Sequence, residues 1–252
     1  MSLFIAAGIL FYLYSQTNST NQVKNILPPW GVISSNHINE ISKNKFPFLT
    51  QRIIKKLRML FLLNVDTTKK ELNSIHEWNQ QLNQKVSYDD KTHYDLFKQE
   101  DTSLKTYQNI IIQLNKHELD IDFDKVYGEV KDYSPVIYQV KYDINRLRPF
   151  QASYILKIPI KHLDSESADT PSMPAGHTIQ SLLFAAIIYR DNKTFFENHI
   201  DLLKWMIEIC LDVGKRRVIA GLHYPSDNIA GRVFVMEVIK EWNIEEFTKY
   251  LS

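Results

Sequence analysis

The stretch HYPSDNIAGRVFVMEVIKEW, residues 223–242, decides the fold class. Pro225 suits the first turn of a helix, where its missing N–H costs nothing. Ile229, Val233 and Met236 recur at helical spacing and are expected to form the buried face of a helix from Pro225 to Trp242. The same pattern repeats outward. His177 to Arg190 and Phe195 to about Val213 read as helices, and Ser134-Pro135 reads as an N-cap with proline at the first helical position. The helix opened by Ser134 would carry Ile137, Val140, Ile144 and Leu147 and stop near Pro149, because proline disfavours a helical residue before it. Between Phe48 and Lys131 two further apolar stripes stand out, Ile53, Ile54, Leu57, Leu60 and Phe61, then Tyr107, Ile110, Ile111 and Leu114. With seven glycines, no hairpin signal and no internal repeat, the expected fold is all-α, a helical bundle with short connections.

Composition sets the outer limits. The 252 residues carry 30 Lys and Arg against 29 Asp and Glu, so no general basic field exists to hold nucleic acid, and any anion binding must be local. Cys210 is the only cysteine, which excludes an internal disulfide framework and a thiolate zinc cluster; its apolar surroundings, Trp205 to Val213, mark it as a small buried hydrophobe.

Residues 1–15 form an apolar N-terminal segment whose uncharged run Ser2–Tyr14 falls short of the ~20 residues of a spanning helix. It lacks a basic leader and a small-x-small cleavage site, so it reads as a membrane anchor ahead of a signal segment or a buried helix. A membrane-anchored or extracytoplasmic location follows from that reading. Residues 16–30, polar and ending in Pro28-Pro29, read as a linker, and 31–252 as a single all-α domain with its catalytic core at about 134–240.

Three short segments carry chemistry: KYDINRLRP (141–149), PAGHT (174–178) and RVIAGLHYPSD (217–227). Lys141 and Arg148, seven apart, would project from one face of a continuous helix. Gly221 allows a tight turn between Arg217 and His223, and Asp227 follows His223 by four. A histidine that attacks phosphorus must be neutral at one ring nitrogen, and a carboxylate on the other fixes that tautomer. His223 and Asp227 suit those roles, with helix capping as a second duty for Asp227. His177 follows Gly176 at an expected helix start, where N–H groups and the helix dipole favour an anion. The other histidines, His37, His76, His93, His117, His162 and His199, have no comparable sequence partners.

In order and in both internal spacings, these segments resemble the motifs of the type 2 phosphatidic acid phosphatase and vanadium-dependent haloperoxidase superfamily: Lys, six residues, Arg-Pro; Pro-Ser-Gly-His; Arg, five residues, His, three residues, Asp. The resemblance covers roughly Ser134 to Arg232 and implies that superfamily's helical bundle, here behind an N-terminal extension. It implies that Lys141, Arg148, Arg217 and the Gly176 N–H hold phosphate oxygens, that His223 is the nucleophile oriented by Asp227, and that His177 is the general acid. It implies no metal. The chain departs from the pattern at Ala175, where the superfamily has serine; Ser172 and Thr178 are the nearest hydroxyls that could substitute.

The activity so implied is that of an acid phosphatase-like enzyme, a metal-independent phosphatase acting on phosphomonoesters through a phosphohistidine, with no cofactor required. The alternatives are a vanadium-dependent haloperoxidase, holding vanadate as a phosphate mimic through His223, and a weakly catalytic phosphate- or head-group-binding protein. The expected partner is a phosphorylated small molecule or, through an N-terminal membrane anchor, a lipid phosphate; oligomeric state is left open.

Overall fold

A computed structural model describes residues 27–84 and 103–251. Among them no strand occurs, and the fold is all-α. The helices are α1 (Ser35–Ile41), α2 (Pro47–Leu60), α3 (Val65–Gln84), α4 (Leu104–Asn115), α5 (Phe123–Asp132), α6 (Ser134–Ile144), α7 (Pro149–Leu156), α8 (Gly176–Asp191), α9 (Lys193–Asn198), α10 (Ile200–Ile219) and α11 (Pro225–Glu241). Residues 1–15 and most of the linker expected at 16–30 lie outside the described residues. Among those described, no helix is long and apolar enough to cross a membrane.

Helix α8 forms the axis of the bundle. Every residue from Leu182 to Ile188 is fully buried, because α5, α9, α10 and α11 pack around it, and a helix apolar on all sides is one enclosed on all sides. Its first turns approach α10 and α11 closely. A Cβ at Gly214 would lie 2.4 Å from Thr178 Oγ1, and one at Gly231 would lie 3.1 Å from Thr178 Cβ. The Thr178 hydroxyl at this crossing donates to Asn228 Oδ1 at 2.9 Å, so its polar group is satisfied where three helices meet. Cys210 is buried and its thiol is pushed up by burial, in keeping with a packing role.

The front helices pack onto this core, α2 against α6 and α11, and α3 against α7 and α10. The stripe of α2 buries Ile53, Ile54 and Leu57 but leaves Leu60 exposed at the helix end; Tyr107, Ile110, Ile111 and Leu114 of α4 are all buried. Near the end of α11, Glu237 is 3% exposed and accepts from Lys56 Nζ at 2.5 Å, Arg52 Nε at 2.9 Å and Lys240 Nζ at 2.9 Å.

Three expectations need correction. The helix opened by Ser134 does not reach Pro149: Asn145 turns left-handed (φ 53°), closes α6 at Ile144 and leaves Leu147 outside it. The helix expected from Phe195 to Val213 is broken at His199, whose φ of −131° separates α9 from α10; α10 then runs on to Ile219. On α11 the buried face runs through Ala230, Phe234, Val235 and Val238, whereas Ile229 is 49% exposed and Val233 and Met236 only flank the core. The close fit of Gly231 against Thr178 turns that face toward α8.

Candidate active site

Four short backbone features bring the charged side chains together. Lys141 sits in the last turn of α6 and is buried. Its Nζ donates to Pro171 O at 2.6 Å, and burial, with the Arg148 charge beside it, holds the ammonium well below the usual lysine range.

Arg148 does not share a helix face with Lys141, contrary to the expectation for a continuous helix. It is extended (φ −70°, ψ 154°), as a residue before proline should be, and occupies the N-cap of α7. The bend at Asn145 brings the two cations to the same place by another path. The Arg148 guanidinium is 1% exposed and donates to Thr170 O (2.8 Å) and Leu222 O (2.9 Å), and its Nη1 lies 3.1 Å from His223 Nε2.

The third feature is the turn from α10 to α11. Gly221 adopts φ +70°, and a Cβ there would lie 2.4 Å from Lys161 O, so the turn excludes other residues on two counts. Leu222 and His223 donate their N–H groups back to Arg217 O (3.0 and 3.3 Å), which sets His223 beneath the helix end. His223 Nδ1 lies 3.2 Å from Asp227 Oδ2, and the same oxygen accepts the Tyr224 N–H at 2.9 Å. Asp227 therefore both caps α11 and orients His223. An arginine, which only donates, on Nε2 and a carboxylate on Nδ1 define one tautomer: proton on Nδ1, lone pair on Nε2. Burial, then the charges of Arg148, Lys141, Arg217 and His177, hold the His223 pKa well below the usual histidine value.

The fourth feature is the N-terminus of α8, where Gly176 and His177 face the pocket. Ala175 N donates to Asp227 O at 3.0 Å, which ties this helix start to that of α11. A pocket of about 110 Å³ is lined by Lys141, Arg148, Gly176, His177 and His223, with Ser167 and Thr170 on the facing loop and Tyr138, Asp169 and Gln180 among the other wall residues. Arg217 and Asp227 stand behind this wall. Arg217, 2% exposed, donates from Nη2 to Ser167 Oγ (2.7 Å) and Ser165 Oγ (3.1 Å), so it meets the pocket through a lining hydroxyl.

All seven residues singled out from the motifs thus converge, five on the wall and two directly behind it. The two hydroxyls expected to stand in for serine at position 175 do not face the site, since Ser172 Oγ donates to Leu147 O (2.9 Å) and Thr178 is held by Asn228. Hydroxyls do line the pocket, from Ser134, Ser167 and Thr170, and Thr170 Oγ1 accepts from Arg148 Nη2 at 3.1 Å. Sequence reasoning also passed over Arg146, which reaches Asp227, and His37, which stacks on the wall residue Tyr138 at 4.6 Å. The arginine carried a signal, lying within KYDINRLRP; the histidine carried none.

A buried cluster of cations around a histidine paired with a carboxylate has the chemistry that holding a tetrahedral oxyanion requires. Residues 133–239 match the model of the PAP2 superfamily, which supports membership of the type 2 phosphatidic acid phosphatase superfamily through this segment; members of that superfamily are generally phosphatases and related phosphoesterases. No curated protein and no solved structure matches the chain.

Proposed function

We propose that this protein is a metal-independent phosphatase that hydrolyses phosphomonoesters through a phosphohistidine on His223. The observation that carries the reading is the two-sided hold on that imidazole, with Asp227 Oδ2 at Nδ1 and the Arg148 guanidinium at Nε2. A bound phosphoryl group would draw Arg148, Lys141 and the Gly176 N–H to its oxygens, with Arg217 adding charge through Ser167. The Nε2 lone pair attacks phosphorus, the P–N bond forms and the ester P–O bond breaks, while His177 passes a proton to the leaving alcohol oxygen. His177 then takes a proton from water, which attacks phosphorus and releases phosphate and neutral His223. Positive charge fixed around the equatorial oxygens does the work that a divalent cation does elsewhere.

The polar wall beyond the cations supports a small, hydrophilic alcohol portion. Tyr138, Asp169 and Gln180 offer a ring face, a carboxylate and an amide, and Asp169 disfavours a second negative charge there. Soluble monoesters are favoured over lipid phosphates on this ground.

The test is phosphate release from p-nitrophenyl phosphate in excess chelator, with acid-labile, base-stable labelling of the protein. Wild type turns over and labels; His223→Ala does neither. Equal rates in the two proteins overturn the reading, and bromide oxidation by the vanadate-treated protein would replace it with a haloperoxidase. A panel of soluble monoesters against a lipid phosphate in micelles decides the substrate class.

A further inference from the structure

Asp227 is fully buried, and its two oxygens are held differently. Oδ2 serves His223 and the Tyr224 N–H; Oδ1 accepts from Arg146 Nη1 at 2.8 Å. Arg146 lies in the irregular turn between α6 and α7, 6% exposed, with its guanidinium carbon 3.7 Å from the Tyr224 ring centroid. Nη1 also donates to Ser226 Oγ at 2.7 Å, and Nη2 donates to Glu71 Oε2 at 2.6 Å. The other Glu71 oxygen accepts the Ser226 N–H, in the first turn of α11, at 2.8 Å. Glu71 belongs to α3, outside the segment that matches the superfamily.

We propose that Arg146 and Glu71 are positioning residues that brace the Asp227 carboxylate, and through it the His223 imidazole, in the orientation required for attack. The inference rests on the nucleophilic role given to His223. Rotation about the Cβ–Cγ bond moves both carboxylate oxygens, so the Arg146 bond to Oδ1 adds to the restraint on Oδ2 and keeps it in line with Nδ1. Glu71 fixes the guanidinium that does the pinning and, through Ser226, the first turn of the helix that carries Asp227. The brace touches no pocket atom, so its effect falls on the rate of the chemical step and not on anion affinity.

Glu71→Gln, Arg146→Gln and Arg146→Lys in the full chain test this, with p-nitrophenyl phosphate turnover, competitive inhibition by inorganic phosphate, a thermal melt, and the downfield Nδ1–H proton resonance of a histidine bonded to carboxylate. Misorienting a reacting group by a fraction of an ångström to one ångström costs up to about 10²-fold, so kcat should fall about 10-fold in Glu71→Gln and about 10²-fold in Arg146→Gln. Arg146→Lys should recover part of the loss, and the phosphate inhibition constant should stay within about threefold of wild type while the cations that face the anion are retained. The downfield resonance should shift or broaden in the Gln variants. A folded Glu71→Gln protein with wild-type kcat and an unmoved resonance overturns the brace, as does a parallel loss of kcat and phosphate affinity. If Arg146→Gln does not fold, the less buried Glu71→Gln carries the test. Wild type that fails to turn over while the resonance moves in the variants would defeat the catalytic reading and leave the brace standing.

Discussion

The two ends of α11 bury carboxylates in opposite company. At the C-terminal end Glu237 is surrounded by Arg52, Lys56 and Lys240, whose side chains remain 38–45% exposed and keep much of their hydration. At the N-terminal end Asp227 lies among Lys141, Arg146, Arg148 and Arg217, all of them buried. The first cluster needs nothing more, because water completes it. In the second, buried cations outnumber nearby carboxylates, and burial first, then the neighbouring positive charges, hold the pKa values of Lys141 and His223 well below their usual ranges. Unbalanced buried charge costs stability, and an arriving anion relieves it.

The largest break in this contrast comes from mutation. Arg148→Ala should lower kcat/KM for a chromogenic monoester on the order of 10²- to 10³-fold, as loss of a transition-state charge donor does. Glu237→Gln should leave that constant within about twofold. A comparable loss from both variants would mean that the two clusters are one electrostatic unit.

A smaller effect separates them by ligand. Inorganic phosphate at one hundred times its dissociation constant should stabilise wild type by about 2.7 kcal/mol, seen as a rise in melting temperature. Glu237→Gln should keep this rise, and Arg148→Ala should lose most of it. Equal responses would show that phosphate binds elsewhere.

The smallest effect is with pH. Cations around Glu237 hold its carboxyl at about 2, against an unfolded value of about 4.3. A depressed acid contributes stability above the unfolded pKa and loses it as pH falls through the folded one. Between about pH 4.5 and 2 wild type should lose roughly 2 kcal/mol that Glu237→Gln does not lose, an amount held down by the solvent around the three cations. Denaturant melts across that range check it, and identical slopes for the two proteins would dismiss Glu237 as a stabilising group.

The motif residues were legible because each segment needs only local spacing, and the segments then have few ways to meet around an apolar α8. Helix type was legible from periodicity. The breaks were not, since nothing in Asn145 or His199 as residues demands the left-handed turn at one or the break at the other. The buried face of α11 was misread because Ile229 is apolar yet points away from α8, while polar Asp227 and Asn228 point inward. Glu71 was illegible in principle: its partners Arg146 and Ser226 lie 75 and 155 residues away, and only packing of α3 brings them together.

Arg148 has a consequence beyond charge. Its guanidinium is bonded to carbonyls of two separate loops, Thr170 O before α8 and Leu222 O before α11, so neither loop can lift without breaking a bond to the same planar group. The two loops are therefore tied through one side chain, and amide protons on both are expected to lose protection together in Arg148→Ala, which hydrogen exchange would check. A side chain read first as an anion ligand is also a cross-link that holds the loop before α8 to the loop before α11.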